Sequence, residues 1–181
     1  MLLIDLRRRP ADVAAVAVAA IGAWLMWSLY SSAATISWFY DHVERVRNLN
    51  ESVPPDFDYD LDTLPWTTAA PRAFDRGPSR LTLVTNAEPY GYQVFATVET
   101  KRAKVADIQF DAEIESGGAT IGLLQNGKWI AVNSSQRRGR FADANSAELG
   151  RSRSLTVVVA NDNAAGESRL TIRSLRLYLR R

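Results

Sequence analysis

Residues 105–135 read VADIQFDAEIESGGATIGLLQNGKWIAVNSS, and two features of this stretch decide the fold class. In its first part Ala106, Ile108, Phe110, Ala112 and Ile114 alternate with Asp107, Gln109, Asp111, Glu113 and Glu115. A period of two puts the apolar set on one face of a strand and the polar set on the other, so the strand is covered on one side and wet on the other. Further along, Asn126-Gly127 separates two apolar runs. Both central residues of a two-residue hairpin must accept positive φ, which makes this dipeptide a strong short-range hairpin signal.

Working outward from that stretch, further strands are expected at 80–86, 90–99, 138–143, 153–160 and 168–179. In the last of these the inward phase passes from Leu170 and Ile172 to Leu175, Leu177 and Leu179, which predicts a bulge near Arg173 and Ser174. About eight short strands in roughly 100 residues, with no helical pattern between them, imply an antiparallel β-sandwich over residues 80–181.

The N-terminal part is a different material. From Val13 to Tyr40 the chain carries no charge, and its first part, VAAVAVAAIGAWLMWSLY, is almost wholly apolar. Some 20 apolar residues cross a hydrocarbon core of about 30 Å. The expected architecture is therefore mainly β with an N-terminal transmembrane α-helix: a basic tail at 1–12, the helix and its extension at 13–50, a neck at 51–79, and the sandwich. Pro10 and Asp12 suit a helix start. A cleaved signal peptide shares the basic start, and Ser32–Ala34 would serve as its cleavage site, but the apolar run exceeds the usual 7 to 15 residue core of such peptides. Arg7, Arg8 and Arg9 place the tail in the cytoplasm and the C-terminal domain in the periplasm or outside the cell, with the span in the cytoplasmic membrane.

Within the span, Ala15, Ala19 and Ala23 recur every four residues beside Gly22. Such a stripe admits a second helix, although alanine is also simply a good helix former. Trp24, Trp27, Tyr30, Trp38, Phe39 and Tyr40 fit an interfacial aromatic belt or a contact with a partner or pigment. Ile36, Phe39, Tyr40, Val43, Val46 and Leu49 continue the helical spacing until Pro54-Pro55. His42, the only histidine, is read as an interfacial polar residue before a pigment ligand.

The neck is acidic and proline-rich. Residues 41–64 hold two Arg against seven Asp or Glu, whereas 65–181 hold seventeen Lys or Arg against eleven acids. That separation favours docking of neck on domain, or attraction of the domain to anionic head groups or an acidic partner. In DFDYDLD, Asp56, Asp58, Asp60 and Asp62 share one face of an extended chain. They form a weak calcium candidate, since Leu61 and Thr67 stand where an EF-hand loop needs Gly and Glu. A docked strap with a solvated acidic edge is the simpler reading, with Trp66 pinning it to the sandwich.

The run from YGYQVF (90–95) through IQFDAEIESGGATIGLLQNGKWI (108–130) to SRLTIRSLRLYL (168–179) resembles jelly-roll domains of the carbohydrate-binding-module type. The resemblance covers residues 80–181 and rests on strand pattern. It implies a jelly-roll-like sandwich ending in a long strand, of a kind attached to membrane proteins of envelope glycan metabolism.

The composition limits the chemistry. With no cysteine, disulfides, thiolate metal sites and cysteine nucleophiles are excluded. There is no G-x-S-x-G elbow, H-E-x-x-H, P-loop or dinucleotide fingerprint, and no enzyme, cofactor or nucleic-acid partner is expected. Tyr90, Tyr92 and Trp129 are read first as core, with stacking on sugar rings as the alternative. Arg137, Arg138 and Arg140 are candidates for an anionic contact, against a solvated loop. The function expected first is a non-catalytic accessory or scaffold subunit of a larger membrane complex (respiratory, photosynthetic or envelope), partnered by integral membrane subunits. The alternative is a membrane-anchored glycan-binding module of envelope polysaccharide metabolism.

Overall fold

The computed structural model describes residues 18–28, 40, 41, 43, 44, 48 and 52–181. Two compact units divide at residue 41, and each is taken by itself.

In the first unit, residues 18–28 are helical. At 1.5 Å per residue they rise about 16 Å, roughly half a hydrocarbon core. Among the described residues no helix is long and apolar enough to cross a membrane, so the predicted transmembrane helix is not found there. Of the rest of that predicted segment, Ala15, Tyr30, Trp38, Phe39 and His42 lie outside the described residues. Ala19, Gly22, Ala23, Trp24 and Trp27 fall within the helical stretch and are exposed, as is Tyr40 beyond it.

The second unit is the sandwich, and all of its strand pairings are antiparallel. Its strands are β1 (Phe57–Asp60), β2 (Trp66–Thr68), β3 (Ala73–Gly77), β4 (Arg80–Val84), β5 (Tyr92–Glu99), β6 (Val105–Ser116), β7 (Ala119–Gln125), β8 (Lys128–Ser135), β9 (Gly139–Glu148), β10 (Ser154–Asn161) and β11 (Arg169–Arg180). One sheet runs β3-β4-β11-β6-β9, with β1 also paired to β11; the other runs β2-β5-β10-β7-β8. The eight strands expected from 80 onward are present as β4 to β11, within a few residues of their expected ends.

Local chemistry accounts for two fine features. Asn126 and Gly127 take φ of 52° and 73° and join β7 to β8 in two residues. In β11 the register with β6 shifts between Ile172 and Ser174, leaving Arg173 as the extra residue of a bulge. That shift restores Leu175, Leu177 and Leu179 to the core side.

The core fills the space between the sheets with Leu81, Leu83, Val94, Ile108, Phe110, Ile114, Ile121, Leu123, Leu155, Leu170 and Ile172 among others. Phe110 meets Phe141 edge to face at 4.9 Å between centroids. The segment read as a neck belongs to this fold: it supplies β1, β2 and β3, and it buries Leu61 and Leu64 in the common core. Trp66 does pin it, pairing with Ala96 and donating from Nε1 to Leu61 O at 3.0 Å.

The outer face of the first sheet is laced with ion pairs. Arg140 forks onto Asp111 at 3.1 and 3.0 Å, Arg173 reaches Glu113 at 3.4 Å, and Arg176 reaches Asp58 at 3.6 Å. One member departs from the expected wet face. Asp107 is 1% exposed and Arg180 7%, and the two are ion-paired, with Ser146 Oγ also donating to Asp107. Burial pushes the Arg180 guanidinium down from its ordinary pKa.

Candidate functional site

The outer face of the second sheet has a different character. On β5, β10 and β7 the core-facing residues are Val94, Ala96 and Val98, then Leu155, Val157 and Val159, then Ile121 and Leu123. Alternation sends Phe95, Val158, Ala160 and Leu124 to the outside, where they form a second apolar cluster. Val158 is 0% exposed although it lies on an outer face. Phe95 packs against this cluster, and on the same face Tyr92 on β5 and Trp129 on β8 meet at 5.9 Å between ring centroids, with planes at 85°. Strands β10 and β7 lie between their own strands, so the two rings converge above the middle of the sheet.

Gly122 makes the close approach possible. A Cβ there would lie 3.0 Å from the Trp129 ring and would run into the carbonyl oxygen of Ala131 on β8. The absence of a side chain opens a floor on which the indole rests. Around this floor the face is hydroxyl-rich: Thr97 and Thr156 are bonded across β5 and β10 at 3.0 Å, and Thr120 and Ser134 across β7 and β8 at 2.6 Å. Tyr92 remains 42% exposed and Trp129 36%. An edge-to-face pair of this kind makes a partly exposed corner, an arrangement that can stack on the apolar face of a sugar ring while hydroxyls bond at its rim.

A buried polar network holds the loop that leads into β5. Asn161 Nδ2 donates to the carbonyls of Asn86 (3.1 Å), Glu88 (3.2 Å) and Gly166 (3.0 Å), and its Oδ1 accepts from Ser168 Oγ at 2.7 Å. Ser168 Oγ in turn accepts from Gly118 N at 2.8 Å, and Gln93 bridges Asn86 and Gly91. A fully bonded network of this kind rigidifies what it touches. Tyr90 stands on this loop with φ 60° and is 61% exposed, its N–H bonded to Asn161 O at 2.8 Å.

The structure therefore brings together two of the three sequence candidates, Tyr92 and Trp129, and places Tyr90 on the adjoining loop. All three lie outside the inter-sheet core, which corrects the first reading of them as core. Phe95, Gly122 and the Asn161 network were not singled out in the sequence. The arginine trio is divided: Arg140 is forked onto Asp111, while Arg137 and Arg138 are exposed on the β8–β9 turn.

The calcium candidate dissolves into separate bonds. Asp56 takes Arg181 N at 2.8 Å, Asp58 pairs with Arg176, Asp60 takes Thr63 N and Oγ1 at 2.8 Å, and Asp62 takes Ser79 N at 3.0 Å. Thr63's hydroxyl and then its N–H hold the Asp60 carboxyl below its ordinary pKa. Among the described residues no group of three or more metal-ligating side chains converges.

No family model matches the sequence, and no curated protein matches it. Among solved structures, similar chains include carbohydrate-binding modules. A module described as "CBM4 structure and function" shares 8% identity, covering 72% of this chain and 91% of its own, at a TM-score of 0.48. The CBM36-1 domain of a multidomain xylanase from the hindgut metagenome of Trinervitermes trinervoides shares 8% over 67% and 94%, at 0.43. An arabinose-bound GH51 α-L-arabinofuranosidase shares 16% over 70% of this chain, at 0.44. This chain spans a quarter of that enzyme's length.

Proposed function

We propose that the chain is a non-catalytic glycan-binding module attached to a membrane by its N-terminal segment. The observation that carries the reading is the half-exposed Tyr92–Trp129 corner on a face whose centre is apolar and hydroxyl-bearing, with no charged side chain among Phe95, Thr97, Thr120, Gly122, Leu124, Thr156, Val158 and Ala160. Such a face suits uncharged sugar rings, which present alternating C–H and O–H groups. The attachment is supported by the charge-free run from Val13 to Tyr40, with Arg7, Arg8 and Arg9 before it.

The test is a glycan array with the full chain in mild detergent, followed by titration of any ligand found. Trp129→Ala should weaken binding at least about tenfold, the order of one aromatic contact of roughly 1.4 kcal/mol, while Trp129→Phe keeps part of it. An array on which the unmodified chain binds nothing would end the proposal.

A second reading, an accessory or scaffold subunit, has one observation in its favour. The described helical residues expose Val18, Ile21, Trp24, Met26 and Trp27, an apolar surface that needs lipid or a partner helix to cover it. Stoichiometric copurification of another membrane protein in mild detergent is the result that would favour it.

A further inference from the structure

Three connections are tied together at one end of the sandwich. Thr100 N and Oγ1 donate to the carbonyls of Arg153 (2.8 Å) and Ser152 (2.9 Å), Leu149 N donates to Lys104 O (2.7 Å), and Gly150 N donates to Gln125 Oε1 (2.7 Å). These bonds join the β5–β6, β9–β10 and β7–β8 connections. They carry Lys101, Arg102, Lys104, Lys128, Arg151 and Arg153, all exposed, with Glu99 and Glu148 on the adjoining strand ends and Asp56 paired to Arg181 at the same end. None of the six cations forms an ion pair among the described residues, whereas the cations of the β11–β6–β9 face and Arg72 at the opposite end do.

The backbone marks this end as well. Ala103 N donates to Thr100 O at 2.8 Å, closing a tight turn whose central residues, Lys101 and Arg102, have φ of 44° and 71°. Turns with two left-handed residues favour Asn-Gly, as at 126–127. Here two long cationic side chains hold those positions in spite of the strain. The same end receives the chain from its N-terminal part: Asp56 N donates to Leu179 O at 2.9 Å, and Lys101 Nζ sits 4.3 Å from the Phe57 ring centroid. Fifteen residues, 41–55, lie between Tyr40 and this entry point.

We infer that this end is an electrostatic docking surface for anionic phospholipid head groups, which holds the sandwich against the bilayer entered by the N-terminal segment. The inference rests on the attachment proposed above. Six cations without an ion-pair partner among the described residues, at the end where the chain enters the sandwich, would be drawn to a negative leaflet within the roughly 10 Å over which such charges act at 0.1 M salt. The aromatic face lies on the broad side of the second sheet and stays open to a glycan running along the surface.

The test uses the full chain reconstituted with vesicles of phosphatidylcholine alone or mixed with phosphatidylglycerol. The chain has no cysteine, so a single fluorophore can be placed at Asn126→Cys, on the docking end, or at Ala164→Cys, on the opposite end. Lipids carrying a head-group quencher report proximity. Flotation with both kinds of vesicle is expected from the attachment. Quenching at position 126 should be several-fold stronger with phosphatidylglycerol and should fall as salt rises, with little change at 164. Lys101→Glu/Arg102→Glu/Arg151→Glu/Arg153→Glu should abolish that difference while keeping the wild-type thermal melt and flotation.

Equal quenching at 126 in both lipids, or a variant that quenches like wild type, overturns the inference. Retention on an acidic polysaccharide without any lipid dependence would also overturn it. A chain that floats only with phosphatidylglycerol keeps the docking surface and loses the attachment. One that floats with neither loses both.

Discussion

Thr63 shows how one hydroxyl sets a carboxylate. Its Oγ1 and N–H both bond Asp60, which lowers that carboxyl's pKa. A depressed folded-state pKa contributes stability that is present above the unfolded value of about 3.9 and is lost as pH falls through the folded value. Thr63→Ala should therefore raise the Asp60 pKa toward its ordinary value and make unfolding begin at higher pH, as followed by carboxyl NMR titration and acid melts. The Asp107–Arg180 pair is the larger stake at this scale. Asp107→Asn keeps an acceptor for Ser146 but leaves a buried guanidinium without its carboxylate, and it should cost about 3 kcal/mol in denaturant unfolding. The alternation that names Asp107 as outward is plain in the sequence. Its burial is not, because the covering Arg180 lies 73 residues away and reaches it only through the β11–β6 pairing.

At the scale of the element, the hairpin and the bulge were legible because each is written within a few adjacent residues. Asn126-Gly127 satisfies its own turn, and the phase change in SRLTIRSLRLYL states its own bulge. The turn at Lys101-Arg102 has the same left-handed backbone without the sequence signature, so only the structure reveals it. Lys101→Asn/Arg102→Gly should raise stability by about 1 kcal/mol in thermal or chemical unfolding, since it relieves two left-handed non-glycine residues. The β7–β8 contact is set the other way. Gly122→Ala should cost about 1–3 kcal/mol and weaken any glycan binding, because the added methyl forces apart the indole and the Ala131 backbone. Isothermal titration alongside a melt separates the two effects.

For the whole molecule, the division between neck and domain is where composition misleads. Proline, aspartate and threonine between 51 and 79 have the look of a linker, yet edge strands tolerate such residues, and three of them form here. Leu61 and Leu64, two apolar residues in a polar stretch, are what the core takes from it. A chain starting at residue 80 should therefore lose cooperative unfolding, because Leu177 and Leu179 lose β1 and the core loses two leucines worth about 1.5–3 kcal/mol each. One that starts at Val53 should keep a single sharp melt by circular dichroism.

The β class, the hairpin, the bulge, the separation of charge and the absence of thiol chemistry can all be read along the chain. Each of these depends on residue type and on neighbours a few positions apart. That Tyr92 and Trp129 form one corner, that the acidic strap is spent in separate bonds, and that six cations share one end emerges only when the strands pair. The physical reason is the same in all three cases. Pairing order and register carry residues tens of positions apart to within a few ångströms, and a period-of-two pattern states which face a residue takes without stating what it meets there.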